Sequence, residues 1–324
     1  MLLLAATACE VEWGGGRIAL EDPAPPPDTT AIVEELEEQL VPVPDGPFLY
    51  LARLDTDGTA RVVPLAGLGG ETSGAELTGL VIPDSVDDGY RARFDSTFHR
   101  DGTELHLHAA GVRIGAVVLG GSTETAAAAC PSVAVGRALL LPGQTAPRYA
   151  FALPAGVVAG APGRVVPIEP TRRMSVAGPV LAERLINDQR AFLAQRVALT
   201  GVRLADDTMP AMASTYLIAD SLAVGPPAGD AISLFFLARY DATSGYRAVW
   251  QEVRRYDGAA EKEAFEYLDW LVLPAGRLDV VRRYGGSRVG LATSLLAAGD
   301  DGQERAIGWI EPAECSALEL LEGS

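Results

Sequence analysis

Apolar and polar residues alternate along most of this chain in short runs broken by Gly, Pro, Asp and Ser, the texture of β-strands joined by tight turns. Phe48 to Leu54 and Thr59 to Leu65 flank Asp55-Thr56-Asp57-Gly58, and this spacing predicts a hairpin. Strands are also predicted at Val112 to Leu119, Ala134 to Leu141, Tyr149 to Leu153, Thr215 to Leu222, Ser233 to Tyr240, Gly245 to Tyr256, Glu263 to Trp270 and Arg277 to Tyr284. Two stretches follow the helical period instead. Ile32, Leu36 and Leu40 recur every four residues behind Thr29 and Thr30, with acids near the positive helix N-terminus. Gly178-Pro179 is expected to open the longest helix, with Leu181, Leu185, Phe192 and Val197 near one face as far as Leu199.

The predicted fold class is therefore mainly β with a minor α component. It comprises two β-rich units, each a sandwich or a partly open barrel, with a connecting helix. The expected divisions are an N-terminal segment 1–9, a tether with a short helix at 10–46, a first β-rich domain at 47–172, the helix at 173–199 and a second β-rich domain at 200–324. Gly14-Gly15-Gly16 and Pro23-Ala24-Pro25-Pro26-Pro27 mark the tether, since Gly supplies flexibility and Pro extended stiffness. Phe48 to Asp55 is echoed by Phe235 to Asp241, each followed by a turn and a strand. Eight residues leave duplication and convergence of similarly buried hairpins both open.

The densest chemistry lies between Phe94 and His108. If Asp101-Gly102 is a two-residue hairpin turn, Phe98, Leu105 and Leu107 face the core, and Asp95, Thr97, His99, Glu104, His106 and His108 share the opposite face. All three histidines of the chain would then lie on one surface with two carboxylates. Imidazole and carboxylate suit zinc or copper, so Asp95, His99, Glu104, His106 and His108 are candidate ligands; the plainer reading is the wet face of an amphipathic hairpin. Tyr246, Trp250 and Tyr256 stand at even spacing on one predicted strand, either as a surface aromatic patch or as core.

Charge narrows the functional classes. A net charge of −17, with Lys262 the single lysine, offers no basic stripe for phosphates, so nucleic acid is not an expected partner. The sequence holds no Gly-x-Ser-x-Gly elbow, no His-Glu-x-x-His and no Gly-x-x-x-x-Gly-Lys loop, and the expectation is a protein that is not an enzyme.

The N-terminal Leu2-Leu3-Leu4-Ala5-Ala6-Thr7-Ala8-Cys9 resembles a bacterial lipobox, in which small residues precede a cysteine that receives lipid. Ala6 stands where an aliphatic residue is usual, and neither a basic n-region nor a long apolar stretch precedes it. The resemblance implies a lipid-anchored protein of the cell envelope, on the periplasmic or outer-surface side, with a membrane and an envelope protein or polysaccharide as partners. The rest of the chain is similar in arrangement to uncharacterised envelope lipoproteins. In that oxidising setting Cys130 and Cys315 are an even pair and are expected to form a disulfide; two separate buried thiols are the alternative. Residues Leu268 to Val281, with Asp269-Trp270, a short loop, Gly276 and Leu278-Asp279-Val280-Val281, resemble the hairpin of FG-GAP or VCBS repeats. Leu271 and Leu273 occupy positions where that family has oxygen ligands, so calcium binding is not implied.

The functional expectation is a non-catalytic envelope lipoprotein, a structural or interaction module. The alternative is a lipoprotein that binds a metal or small ligand on the histidine face.

Overall fold

A computed structural model describes residues 42–72, 76–79, 87–124, 132–157, 159–186, 195–204, 209–219, 231–256, 264–284, 290–296, 309–310 and 321. Cys9, Cys130, Cys315 and the acidic 32–40 stretch lie outside them. The fold is mainly β, as the alternation predicts. Among the described residues the first half holds seven strands: β1 (Phe48–Leu54), β2 (Thr59–Gly69), β3 (Glu76–Gly79), β4 (Glu104–Ala109), β5 (Val112–Glu124), β6 (Val133–Leu140) and β7 (Tyr149–Pro154). Their order is β1-β7-β4-β5-β6-β2-β3, and β1 also pairs antiparallel with β2. Six strands thus close into a barrel, and β3 extends one edge of β2.

A six-stranded barrel has a narrow bore, and the chain fills it accordingly. Ala52, Ala60, Ala134, Ala150 and Ala152 leave room for Tyr50, Val62, Leu105, Leu107, Ile114, Val117 and Leu119 in one buried cluster. Helix α1 (Asp88–Phe98) covers the end of this interior where β1 begins. Phe94 stacks on Phe48 at 5.7 Å between centroids, and Phe98 meets it edge-on at 4.6 Å.

Helix α1 corrects the hairpin expected over residues 94–108. Asp87 caps it, its carboxylate accepting the Tyr90 N–H at 2.6 Å, and Tyr90, Phe94 and Phe98 line one face at helical spacing. Asp101-Gly102 is a turn, with Gly102 at φ +75°, but it joins a helix to a strand.

The second half forms two antiparallel meanders. Strands β8 (Gln195–Val202), β9 (Ala211–Ala219), β10 (Ala231–Asp241) and β11 (Gly245–Tyr256) make one sheet; β12 (Ala264–Leu273), β13 (Gly276–Tyr284), β14 (Gly290–Leu296) and β15 (Trp309–Ile310) make the other. Helix α2 (Arg172–Ile186) lies on the outer face of the first. The layers run barrel, β12–β15 sheet, β8–β11 sheet, α2. Leu271, Leu273, Leu278 and Val280 face Leu49, Leu51, Val63, Leu65, Phe151 and Leu153 on the outside of the barrel. Phe265 and Val281 face Phe235, Leu237 and Trp250 instead, while Leu234 and Phe236 on the other side of β10 meet Met174 and Ala182 of α2. A strand covered on both faces reads as a continuous apolar run, which is why Ile232 to Ala238 lacks alternation.

Helix α2 corrects a second expectation, because it starts and ends earlier than its sequence pattern suggests. Thr171 caps it, with its hydroxyl accepting the Met174 N–H at 3.3 Å, and Pro179 sits inside it rather than at its start. Residues 195–202 are strand, not helix. Gly178 serves packing, since a Cβ there would collide with the Tyr216 hydroxyl.

Tyr246, Trp250 and Tyr256 are buried and form no surface patch. A bulge in the β10–β11 pairing, between Leu237 and Ala238, also sends Tyr246 to the α2 face and Trp250 to the opposite one. The Phe48 and Phe235 echo corresponds to the hairpins β1–β2 and β10–β11, each with a bulge at a different place.

Phe235 is fully buried where β10 meets β12. We expect Phe235→Ala to lose about 3–5 kcal/mol of stability in urea denaturation. Val272→Ala, at a largely exposed position, is expected to stay within about 0.5 kcal/mol.

Candidate functional site

The structure distributes the candidate ligands over three environments. His99 caps the C-terminus of α1, is buried, and donates from Nδ1 to the Asp95 carboxylate at 2.8 Å. Burial acts to raise Asp95, but hydrogen bonds from His99, Ser132 and Thr123 outweigh it and hold the carboxyl below its ordinary range. This couple packs beside Tyr50 and Phe94 and fixes the end of α1 to the barrel.

His106 and Glu104 lie on the outer side of β4, in register with Ala116 and Val118 of β5, and approach each other to 3.6 Å. His108 is on the same strand but buried, with Nδ1 lacking a hydrogen-bond partner among the described residues. Burial, aided by His106 and Arg113, pushes its pKa down to about 4. Among the described residues no three His, Cys, Asp or Glu side chains group closely enough to hold a metal ion. Placing residues 94–98 on a helix removes Asp95 and His99 from the strand face that the zinc or copper reading requires.

A denser polar cluster lies between the layers, in the stretch whose hairpin the sequence pattern identifies. The β12–β13 register shifts between Tyr267 and Asp269. Asp269 Oδ1 accepts the Ala110 N–H at 2.9 Å and its own neighbour's Trp270 N–H at 2.8 Å. The Gly111 N–H donates to the Trp270 carbonyl at 3.1 Å. The β4–β5 turn, with Ala110 at φ +47° and Gly111 at φ +73°, is thereby latched to the bulge from the barrel side. Gly111 is required, since a Cβ there would run into the Trp270 ring. Desolvation raises the Asp269 carboxyl to about 7.

Nearby, Arg277 grips buried Asp279 with two hydrogen bonds, at 2.9 and 2.8 Å, and its guanidinium lies 4.0 Å from the Trp270 ring centre. The Tyr267 hydroxyl also donates to Asp279, and burial pushes that phenol well above its ordinary range. The pair is bidentate and stacked, a geometry that arginine alone among the cations supplies. Asp269 thus binds backbone N–H groups, and Asp279 binds the Arg277 guanidinium.

One open concavity is built differently. It runs along α2 beside the β10–β11 turn, has a volume of about 520 Å³, and is lined by Arg172, Arg173, Val176, Ala177, Val180, Leu181, Arg184, Ser244, Gly245 and Tyr246. Val176 and Val180 are 64% and 46% exposed, although both are aliphatic residues on a helix whose other apolar residues reach the core. Arg173 lies over the Tyr240 ring at 5.1 Å. Sequence reasoning missed this groove because the apolar periodicity was read only from Gly178-Pro179 onward, so Arg172, Arg173 and Val176 were not placed on one face with Val180 and Arg184. Pro170-Thr171 followed by Met174 was the signal that places the cap earlier.

No family model matches the chain, and no curated protein and no solved structure resembles it.

Two of the shifted interior groups, Asp269 and His108, make opposite pH predictions. Asp269 keeps in the folded state a proton that an ordinary aspartate loses near 3.8, so its contribution falls as pH rises from about 4 to about 7. His108 refuses a proton that an ordinary histidine takes near 6.5, so its contribution falls as pH drops from about 6.5 to about 4. We expect the melting temperature of Asp269→Asn, relative to the parent, to climb between pH 5 and pH 8. His108→Leu should gain on the parent toward pH 5. Thermal melts across this range check both, and curves parallel to the parent's would contradict the assignment.

Proposed function

We propose that this chain is a non-catalytic module of the bacterial cell envelope, held at a membrane by lipid on Cys9. The Gly- and Pro-rich stretch from Gly14 to Pro27 serves as its tether, and its β-rich body presents a binding face to another envelope component. The observation that carries the binding role is the α2 groove, where aliphatic side chains and arginines line an open concavity. The interior titratable groups support a structural reading of the rest. Asp95 with His99, Asp269 with the β4–β5 turn, and Arg277 with Asp279 are each committed to bonds that hold layers together. The Cys9 anchor rests on Ala6-Thr7-Ala8-Cys9 and on the Gly- and Pro-rich stretch that follows. Among the described residues no helix is long and apolar enough to cross a membrane.

The anchor is tested by fusing a complete n-region and apolar stretch ahead of Leu2, expressing the full chain in a Gram-negative host and feeding labelled palmitate. Label on the protein, lost in Cys9→Ser, is the expected outcome; an unlabelled parent sinks the anchor. In that oxidising compartment Cys130 and Cys315 pair. Thiol titration of the denatured Cys9→Ser protein should therefore find neither free, and two free thiols would refute the bond.

A further inference from the structure

Three features of the described residues invite a further role: the histidine strand, the Asp269 latch and the α2 groove. The histidines are divided between buried and exposed positions, and the latch is enclosed by its own hydrogen bonds. The groove alone offers unused surface chemistry.

We propose that the α2 groove receives an acidic amphipathic helix from a partner polypeptide, a step that rests on reading the groove as the module's interaction surface. Val176 and Val180 are one helical turn apart and form an exposed aliphatic stripe. Arg172 and Arg173 stand at one end of it and Arg184 at the other, a span of about 18 Å at 1.5 Å per residue. Among the described residues neither Arg172 nor Arg184 is held by an ion pair or hydrogen bond. The whole chain carries −17, so guanidinium groups concentrated around apolar side chains run against the charge of the molecule.

The arrangement discriminates among occupants by where the charge sits. A single-headed amphiphile presents one anionic end, whereas these cations flank the stripe at both ends. An anionic bilayer would meet the charge of the whole molecule. A short helix meets the local cations within a screening length of about 8 Å. Its apolar i, i+4 face fits the Val176–Val180 stripe, and carboxylates on its flanks match the guanidinium forks. Tyr246 is already engaged, donating to the Pro210 carbonyl at 3.0 Å, and acts as a rigid wall.

The probe is a pair of synthetic helical peptides with leucine at i, i+4 on one face and either glutamate or lysine on the other, titrated against the full chain by fluorescence anisotropy. The glutamate peptide is expected to bind at least 10-fold tighter than the lysine peptide. Arg172→Glu with Arg184→Glu should invert that preference, and Val176→Asp should weaken both peptides at least 10-fold. These positions are exposed, so unchanged melting temperatures confirm that the variants fold. Equal binding of the two peptides, no binding of either, or a preference unaffected by the charge reversal overturns the proposal. So does tighter binding to vesicles rich in phosphatidylglycerol, displacement of the peptide by laurate, or self-association abolished by Val176→Asp. Palmitate labelling at Cys9 does not depend on any of these outcomes, so a failed partner assignment is separable from a failed envelope anchor.

Discussion

Because β12 and β13 are covered by the barrel on one face and by the β8–β11 sheet on the other, their side chains have to serve two cores at once. In a regular strand, odd and even positions would keep to opposite faces throughout. The register shift at Leu268–Asp269 breaks that rule: Phe265 and Tyr267 face one way, and after it Trp270 continues on that face while Leu271 and Leu273 turn to the barrel. The irregular backbone exposes groups that an interior cannot leave bare: the Asp269 carboxyl accepts the Trp270 N–H, and the Gly111 N–H of the β4–β5 turn donates to the Trp270 carbonyl. Packing and hydrogen bonding thus meet at one place, and the layer order follows from it.

The polar interior is consistent with that role. A carboxylate at Asp279 would be costly between two sheets without a partner, and Arg277 supplies charge, two hydrogen bonds and a flat face against Trp270. Such a pair adds little net stability over apolar packing, but it discriminates strongly among registers, because a slip of one residue would strand both charges. The groove on α2 differs in kind, since its arginines point outward from a helix whose opposite face is already buried in the core.

Much of the strand inventory was legible because turns carry their own chemistry. Asp55 to Gly58 and Asp241 to Gly245 punctuate hairpins whose limits the alternation marks closely, and β11 runs over the predicted Gly245 to Tyr256. The misreadings have physical causes. Tyr90, Phe94 and Phe98 recur every four residues behind Asp87, a helical signature that the Asp101-Gly102 turn motif overshadowed. Bulges change parity without any residue type announcing them, so the fates of Tyr246 and Trp250 were hidden. The histidine face depended on pairing residues 95–99 with 104–108, and once the former became helix only the β4 residues remained together.

Leu321 is fully buried against the outer face of the barrel, and its carbonyl accepts the Arg53 guanidinium at 2.9 Å across 268 residues of sequence. On the ribosome, the first strand of the barrel therefore emerges long before the last residue that seals its outside. The apolar row of Leu49, Leu51, Val63 and Leu65 must wait, exposed, through most of synthesis. A core that draws its covering residues from so far along the chain closes late, and the outer face of the barrel is completed only when Leu321 has joined it.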